Sequence, residues 1–283
     1  VMRLEMPGMP SSNRTTWVAE WGQPRRAKWY AGLAWLALLA LVAFASAGVA
    51  ATGEMTGAVK YLLLFGVLFV IIIVVGFDSR INLRKHGASA IRNQSGAGLV
   101  IPYSRIGFIG SALMMVMLVV IFAAASYDFA RNVEGDVTSP IAAAIVFGLI
   151  AAFFATYPLQ IVTGKIARGK VILTPSGIEH RSWGYQSRLS WDDVVHVSAI
   201  NGDGPQIWLR ANSGAVETTR FARIWGGRPR DNSGIAIEGK NLFVDPALVY
   251  RMVSFYVSNR TARTELGAEA ALQRARTSSY SSP

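Results

Sequence analysis

The sequence predicts an α-helical membrane protein, four transmembrane helices in two hairpins, followed by a C-terminal antiparallel β domain closed by one α-helix. Three observations predict it. Hydrophobic residues make up 52% of the 283 positions and charged residues only 16%, with a mean hydropathy of +0.33, too apolar for an ordinary soluble domain. Apolar runs at about 29–51, 61–77, 106–127 and 141–162 carry no interior charge. At about 1.5 Å per residue they have the length to cross a hydrocarbon core of about 30 Å. Beyond Lys170 the pattern turns to short alternating segments punctuated by Gly, Pro, Asn and Asp, the rhythm of strands and tight turns.

Composition also excludes chemistry. The chain has no cysteine, which removes disulfides, thiolate metal sites and cysteine nucleophiles together. The net charge of +11 gathers at the borders of the apolar runs, as expected of flanks beside anionic headgroups. No helix-turn-helix or RNA-binding sheet motif accompanies it, so no nucleic-acid partner is expected.

Residues 1–28 are polar and hold Pro7, Pro10 and Pro24, which predicts a loosely ordered cytoplasmic arm. Trp17, Trp21, Trp29 and Tyr30 stand near Arg25, Arg26 and Lys28, so residues 17–28 read either as a segment along the membrane surface or as a mobile tail with incidental tryptophans. Ala45-Ser46-Ala47 in the first span resembles a signal-peptidase site, but a 28-residue leader and a long apolar run predict retention. The second span holds the β-branched run 70–75, read as a lipid-facing helix because of its uncharged setting. Residues 78–105, with Arg80, Arg84, Lys85, Arg92 and Arg105 and a Gly-Ala-Ser-rich centre, read as a basic loop. Thirteen lysines and arginines flank one side of the four spans and only Lys60 and Arg131 the other. The positive-inside rule then puts both termini and the C-terminal domain in the cytoplasm, and 22 arginines against 6 lysines amid abundant Ala, Gly and Val point to a GC-rich bacterial genome and so to a bacterial inner membrane.

Small residues recur at four-residue spacing, Ala43, Ala47 and Ala51 in span one and Ala144, Gly148 and Ala152 in span four. Such rows allow close backbone approach, either within a four-helix bundle or to a partner helix. The spans lack interior ionisable groups, which argues against a transporter acting alone.

In the domain expected over 164–266, Val171-Ile172-Leu173 reads as a strand, Thr174-Pro175-Ser176-Gly177 as a turn and 178–183 as the returning strand. Further strands fit 187–191, 194–200, 206–210, 215–219 and 235–238. Asp245-Pro246 offers an N-cap and a proline at the first helical position. Leu248, Val249, Met252, Val253, Phe255 and Tyr256 then recur on one helical face to about Asn259. Residues 267–283 read as a flexible tail. This element order is that of a pleckstrin-homology-like domain, and Leu189-Ser190-Trp191-Asp192-Asp193-Val194 after the first hairpin resembles the opening of bacterial members. The stretch from Val244-Asp245-Pro246 to Arg263-Thr264-Glu265-Leu266 resembles the closing helix of actinobacterial membrane proteins of that class. The resemblance covers about 100 residues and implies a fold and a compartment. The first hairpin turn carries no lysine or arginine, so phosphoinositide binding is not implied.

No phosphate loop, GxSxG elbow or HExxH motif is present. Glu179 and His180 point to opposite faces of a strand, and neither they nor Asp192, Asp193 and His196 form a catalytic or metal set; no cofactor is expected. Trp183, Trp191, Trp208 and Trp225 could line an apolar ligand cavity, but a small sheet domain needs large side chains in its core, so the first three are expected to fill it and Trp225 to be exposed. Arg220, Arg223, Arg228 and Arg230 form the most basic patch of the domain, suited to headgroup contact, to acidic-partner contact or simply to solvation. The expected role is a non-enzymatic inner-membrane accessory or scaffold subunit. Composition, four helices and a pleckstrin-homology-like tail together resemble accessory subunits of mycobacterial Mce-type lipid importers, which implies inner-membrane lipids, a permease and an ATPase as partners. Alternatives are a lipid sensor using the arginine patch and a lipid-modifying enzyme.

Overall fold

The four apolar runs fold as helices α1 (Arg26–Thr52), α2 (Thr56–Gly76), α3 (Arg105–Arg131) and α4 (Thr138–Val162), with α2 running on into a wider π-type turn, Phe77–Ile81. All four are long and apolar enough to cross a membrane, and a helix satisfies its own backbone polar groups there. The computed structural model describes residues 17–22, 26–53, 55–83, 88–94, 98–131, 138–229 and 232–280. Most of the expected N-terminal arm with its three prolines, loop residues 54, 84–87, 95–97 and 132–137, Arg230 and residues 281–283 lie outside these.

The helices pack in sequence order, α1 on α2, α2 on α3 and α3 on α4. Among the described residues no comparable packing joins α4 to α1, so the helices form an open row rather than the expected bundle. In the apolar 18-residue stretch of each span only 11–17% of residues are buried within the chain. Close approaches occur at glycines: a Cβ on Gly110 would stand 2.2 Å from Val75 Cγ2, and one on Gly66 would stand 2.7 Å from the Phe44 ring. At one end of the row Lys60 Nζ pairs with Asp128 Oδ1 at 2.5 Å, and the Tyr61 hydroxyl donates to Asp128 Oδ2 at 2.7 Å.

The other end carries the sheets. Residues 78–105, read as a loop, contain strands β1 (Arg92–Gln94) and β2 (Gly98–Pro102). After α4 come β3 (Lys170–Leu173), β4 (Gly177–Arg181), β5 (Tyr185–Ser190), β6 (Val194–Gly202), β7 (Gly204–Ala211), β8 (Glu217–Arg220) and β9 (Gly234–Glu238). They form an antiparallel sheet in the order β1-β2-β3-β4-β5-β8 and a second in the order β6-β7-β9. β2 joins because its alternation fits the core: Leu99 and Ile101 are fully buried and Val100 half-buried, with Ile101 opposite Val171 and Pro102 opposite Lys170.

The inner faces meet through Leu99, Ile101, Leu173 and Ile178 on one side and Ile207, Leu209, Ile235 and Ile237 on the other. Helix α5 (Pro246–Ser258) buries Leu248, Val249, Met252, Val253 and Tyr256 in the same core, and Asp245 Oδ1 accepts from Ala247 N at 2.9 Å as its N-cap. Residues 267–280 differ from the expected tail. They hold α6 (Glu269–Thr277), whose Ala271, Leu272 and Ala275 are buried beside β1, and Asn93 Nδ2 donates to Gly267 O at 3.0 Å. Two helices therefore flank the sheets where one was expected. The arm differs too, because Trp21 leaves the surface for the core. It is 2% exposed, its Nε1 donates to Gln206 O at 3.1 Å, and Asn201 Nδ2 donates to its carbonyl at 2.6 Å.

The sheet domain is thus assembled from three stretches that the membrane helices separate. Removing β2 would leave β3 as an open hydrophobic edge. A fragment of residues 164–283 alone is expected to lack a dispersed amide spectrum and a cooperative melting transition; a well-dispersed folded spectrum would refute the role given to β2.

Candidate functional site

The loop after β8 carries the expected basic patch, and its backbone is set by the β4–β5 turn. Phe221 N and Ala222 N both donate to Gly184 O, at 2.8 and 3.0 Å. Gly184 and Gly226 lie backbone against backbone, where a Cβ on Gly184 would stand 2.2 Å from Gly226 Cα. This crossing turns the loop towards α4. Trp225, expected to be exposed, packs its ring 4.9 Å from that of Phe153 and 5.8 Å from that of Tyr157, and its Nε1 donates to Thr156 Oγ1 at 2.8 Å. The difference has a simple cause, since the aromatic surface that receives the indole is some 70 residues away in sequence.

Thr156 lies six residues before the last residue of α4, about 9 Å along the axis. The indole therefore reaches well down the span. Beside it Ile224 is 62% exposed and Phe221 also exposed, while Arg220, Arg223 and Arg228 are exposed around them. Arg181 sits 3.8 Å over the Phe221 ring, and burial pushes its guanidinium below its ordinary pKa. Apolar tips ringed by arginine suit the boundary between acyl chains and headgroups.

A second junction ties the smaller sheet to the first hairpin. Arg80, beyond α2, donates Nη1 to Asp203 Oδ1 at 2.6 Å and Nη2 to Oδ2 at 2.8 Å, and stacks 4.4 Å over Trp29 of α1. Lys240 Nζ reaches Asp203 Oδ2 at 2.8 Å. The hydrogen bond from Arg80 leads the causes that hold the Asp203 carboxyl well below its usual range. Nearby, the buried Asp78 accepts from Ser104 Oγ at 2.6 Å.

The small-residue rows divide. Ala43 and Ala47 are buried in the α1–α2 hairpin. Ala144 O accepts from Ser126 Oγ at 2.7 Å, and a Cβ on Gly148 would stand 3.2 Å from the same hydroxyl, so both face α3. Ala51 and Ala152 are exposed.

Between the sheets a cavity of about 260 Å³ is lined by Tyr103, His180, Tyr185, Trp225, Arg228 and Glu238, among others. The Tyr103 hydroxyl and His180 Nε2 are 2.5 Å apart, both buried. Glu179 lies on the opposite face, bonded to Gln186 and Arg188, so sequence neighbours do not become chemical partners. Trp191 is in the core and Trp183 packs on Phe108 of α3. Among the described residues no three His, Asp or Glu side chains gather to hold a metal. Comparison with protein-family models, curated proteins and solved structures finds no match.

Two outcomes follow from this geometry. A spin label at Ile224→Cys in lipid nanodiscs is expected to be oxygen-accessible and shielded from a water-soluble nickel chelate, unlike one at Asn212→Cys; equal chelate access at both sites would refute lipid contact. Burial pushes His180 down to about 4, while the unfolded imidazole titrates near 6.5. The unfolded chain then takes up the proton first, so stability falls as pH drops from about 6.5 towards 4, by about 2 kcal/mol at pH 5. His180→Gln should remove that part of the slope, read from unfolding in detergent at pH 7 and pH 5.

Proposed function

We propose that the chain is a non-enzymatic accessory or scaffold subunit of a bacterial inner membrane, serving a lipid-handling transport complex of the Mce type. Its sheets are read as a pleckstrin-homology-like unit, β3 to α5, extended by β1 and β2, on the cytoplasmic face. Trp191, whose Nε1 donates to Thr174 O at 2.7 Å across the first hairpin, supports that reading of the opening motif. The positive-inside count supports the orientation, because the ends of the helices nearest the sheets carry most of the basic flanks.

The observation that carries the proposal is the open helix row. With only 17% of the apolar 18-residue stretch buried in each, α1 and α4 keep long apolar flanks, Leu41 and Val49 on one and Ile145 and Leu149 on the other. A sheet domain fixed to such a row holds its position while the flanks meet other helices. Partner subunits would be a permease against one flank and an ATPase beside the sheets. The exposed Arg220, Arg223 and Arg228 around Ile224 support a second reading, sensing of anionic headgroups.

The test is photocrosslinking in intact cells from residues placed at Leu41, Val49, Ile145 and Leu149. Crosslinks from one flank to membrane subunits of a single transport complex are expected, together with reduced lipid uptake on deletion of the chain. Lipid adducts alone at all four positions, with uptake unchanged, would overturn the accessory role.

A further inference from the structure

On the other flank of the larger sheet, away from the Trp225 loop, a cleft of about 450 Å³ lies where β1, β2 and β3 meet the start of α3. The sheet register builds it. Arg92 stands opposite Val100, and Pro102 opposite Lys170; Val100 and Pro102 are two residues apart, so all four share one face. Arg105, the first residue of α3, and Arg168, from the segment after α4, complete the wall, with Phe243 among the apolar lining. None of the lining residues is acidic. Asp78 meets Ser104 at the same joint but does not line the cleft.

Arg168 is held in place. Its Nε donates to Tyr103 O at 2.7 Å and its Nη2 donates to the same oxygen. Burial, and then the like charges of Arg105 and Arg92, push its guanidinium below its ordinary pKa. Arg92, Arg105 and Lys170 are exposed. Four cations without an acid among the lining residues repel one another, and a bound oxyanion relieves that repulsion. Guanidinium groups match phosphate oxygens in planar, paired fashion, and lysine adds a point charge.

We propose that this cleft binds a phosphate group, carried by an anionic phospholipid headgroup or by a soluble phosphate, between Arg92, Arg105, Arg168 and Lys170. Its place at the mouth of a span is the level at which headgroup phosphates lie, and basic pockets beside membrane helices take such groups. Ile109, one turn below Arg105, is 55% exposed. It offers an apolar track on which the acyl chain of a lipid seated in the cleft would lie. The site differs from the Arg220–Arg228 patch and does not depend on an accessory role for the chain.

The full-length protein in neutral detergent is offered two probes. Native mass spectrometry follows retention of phosphatidylglycerol against phosphatidylcholine, and thermal melting follows pyrophosphate. The variant R92Q/R105Q/K170Q spares Arg168, which holds a backbone carbonyl; R223Q/R228Q is the control, and R92K/R105K/K170R keeps the charge. Preferential retention of phosphatidylglycerol that falls about tenfold or more in the glutamine variant, and persists in the control and the charge-keeping variant, supports a lipid headgroup. A rise in melting temperature with pyrophosphate, lost in the same variant, supports a soluble phosphate. The proposal is overturned if the wild type responds to neither probe, if the glutamine variant responds as the wild type does, or if the control loses as much.

Discussion

The structure depends on the ladder between β2 and β3. Only Tyr103 and Ser104 separate β2 from α3, and seven residues join α4 to β3, so strand, helix, helix and strand form one long hairpin crossing from lipid to sheet. Its joint is closed by Tyr103 N donating to Gly169 O at 3.0 Å, Ser104 N to Asn241 O at 2.7 Å and Phe243 N to Pro102 O at 3.0 Å. Gly169 is required there, because a Cβ would stand 2.4 Å from the Tyr103 ring. With both stems tied, the larger sheet has little freedom relative to α3 and α4. That fixed relation brings Trp183 onto Phe108 and Trp225 onto α4.

The smaller sheet is secured differently, above the first hairpin. Its β6–β7 turn meets Arg80 through Asp203, and Trp21 docks on β7. Asp203 is 64% exposed at its side chain, and ion pairs at such sites contribute about 0.2–1 kcal/mol each. Position follows from the shape of the network, with Arg80 bidentate on the carboxylate and stacked on Trp29, more than from its strength. Each sheet thus sits over its own helical hairpin, and the sheet core joins the two.

What the sequence made legible was whatever depends on local pattern. The four spans, the 174–177 turn, the seven strands from β3 to β9 and the Asp245 cap all follow from periodicity, turn chemistry or capping within a few residues. What stayed hidden depends on distant partners. Leu99 and Ile101 form too short an apolar run to stand out among arginines and glycines, although their alternation immediately before a span was the available signal. Ala271, Leu272 and Ala275 have helical spacing, but small residues in a polar segment give little contrast. For the candidate site, the arginine patch was visible as composition. That Trp225 seats it against α4, and that Arg92, Arg105, Arg168 and Lys170 share a cleft, required the register between strands about 70 residues apart.

This interleaving imposes an order on biogenesis. During synthesis β2 leaves the ribosome well before β3, with both helices of the second hairpin between them, and domains otherwise tend to fold as soon as they emerge. Leu99 and Ile101 have no sheet partner until those helices are inserted, and Trp21 waits longer still, for β7. Completion of the sheets therefore reports correct insertion of the second hairpin. A chain in which it failed would display unpaired hydrophobic strands to the proteases and chaperones that survey nascent membrane proteins.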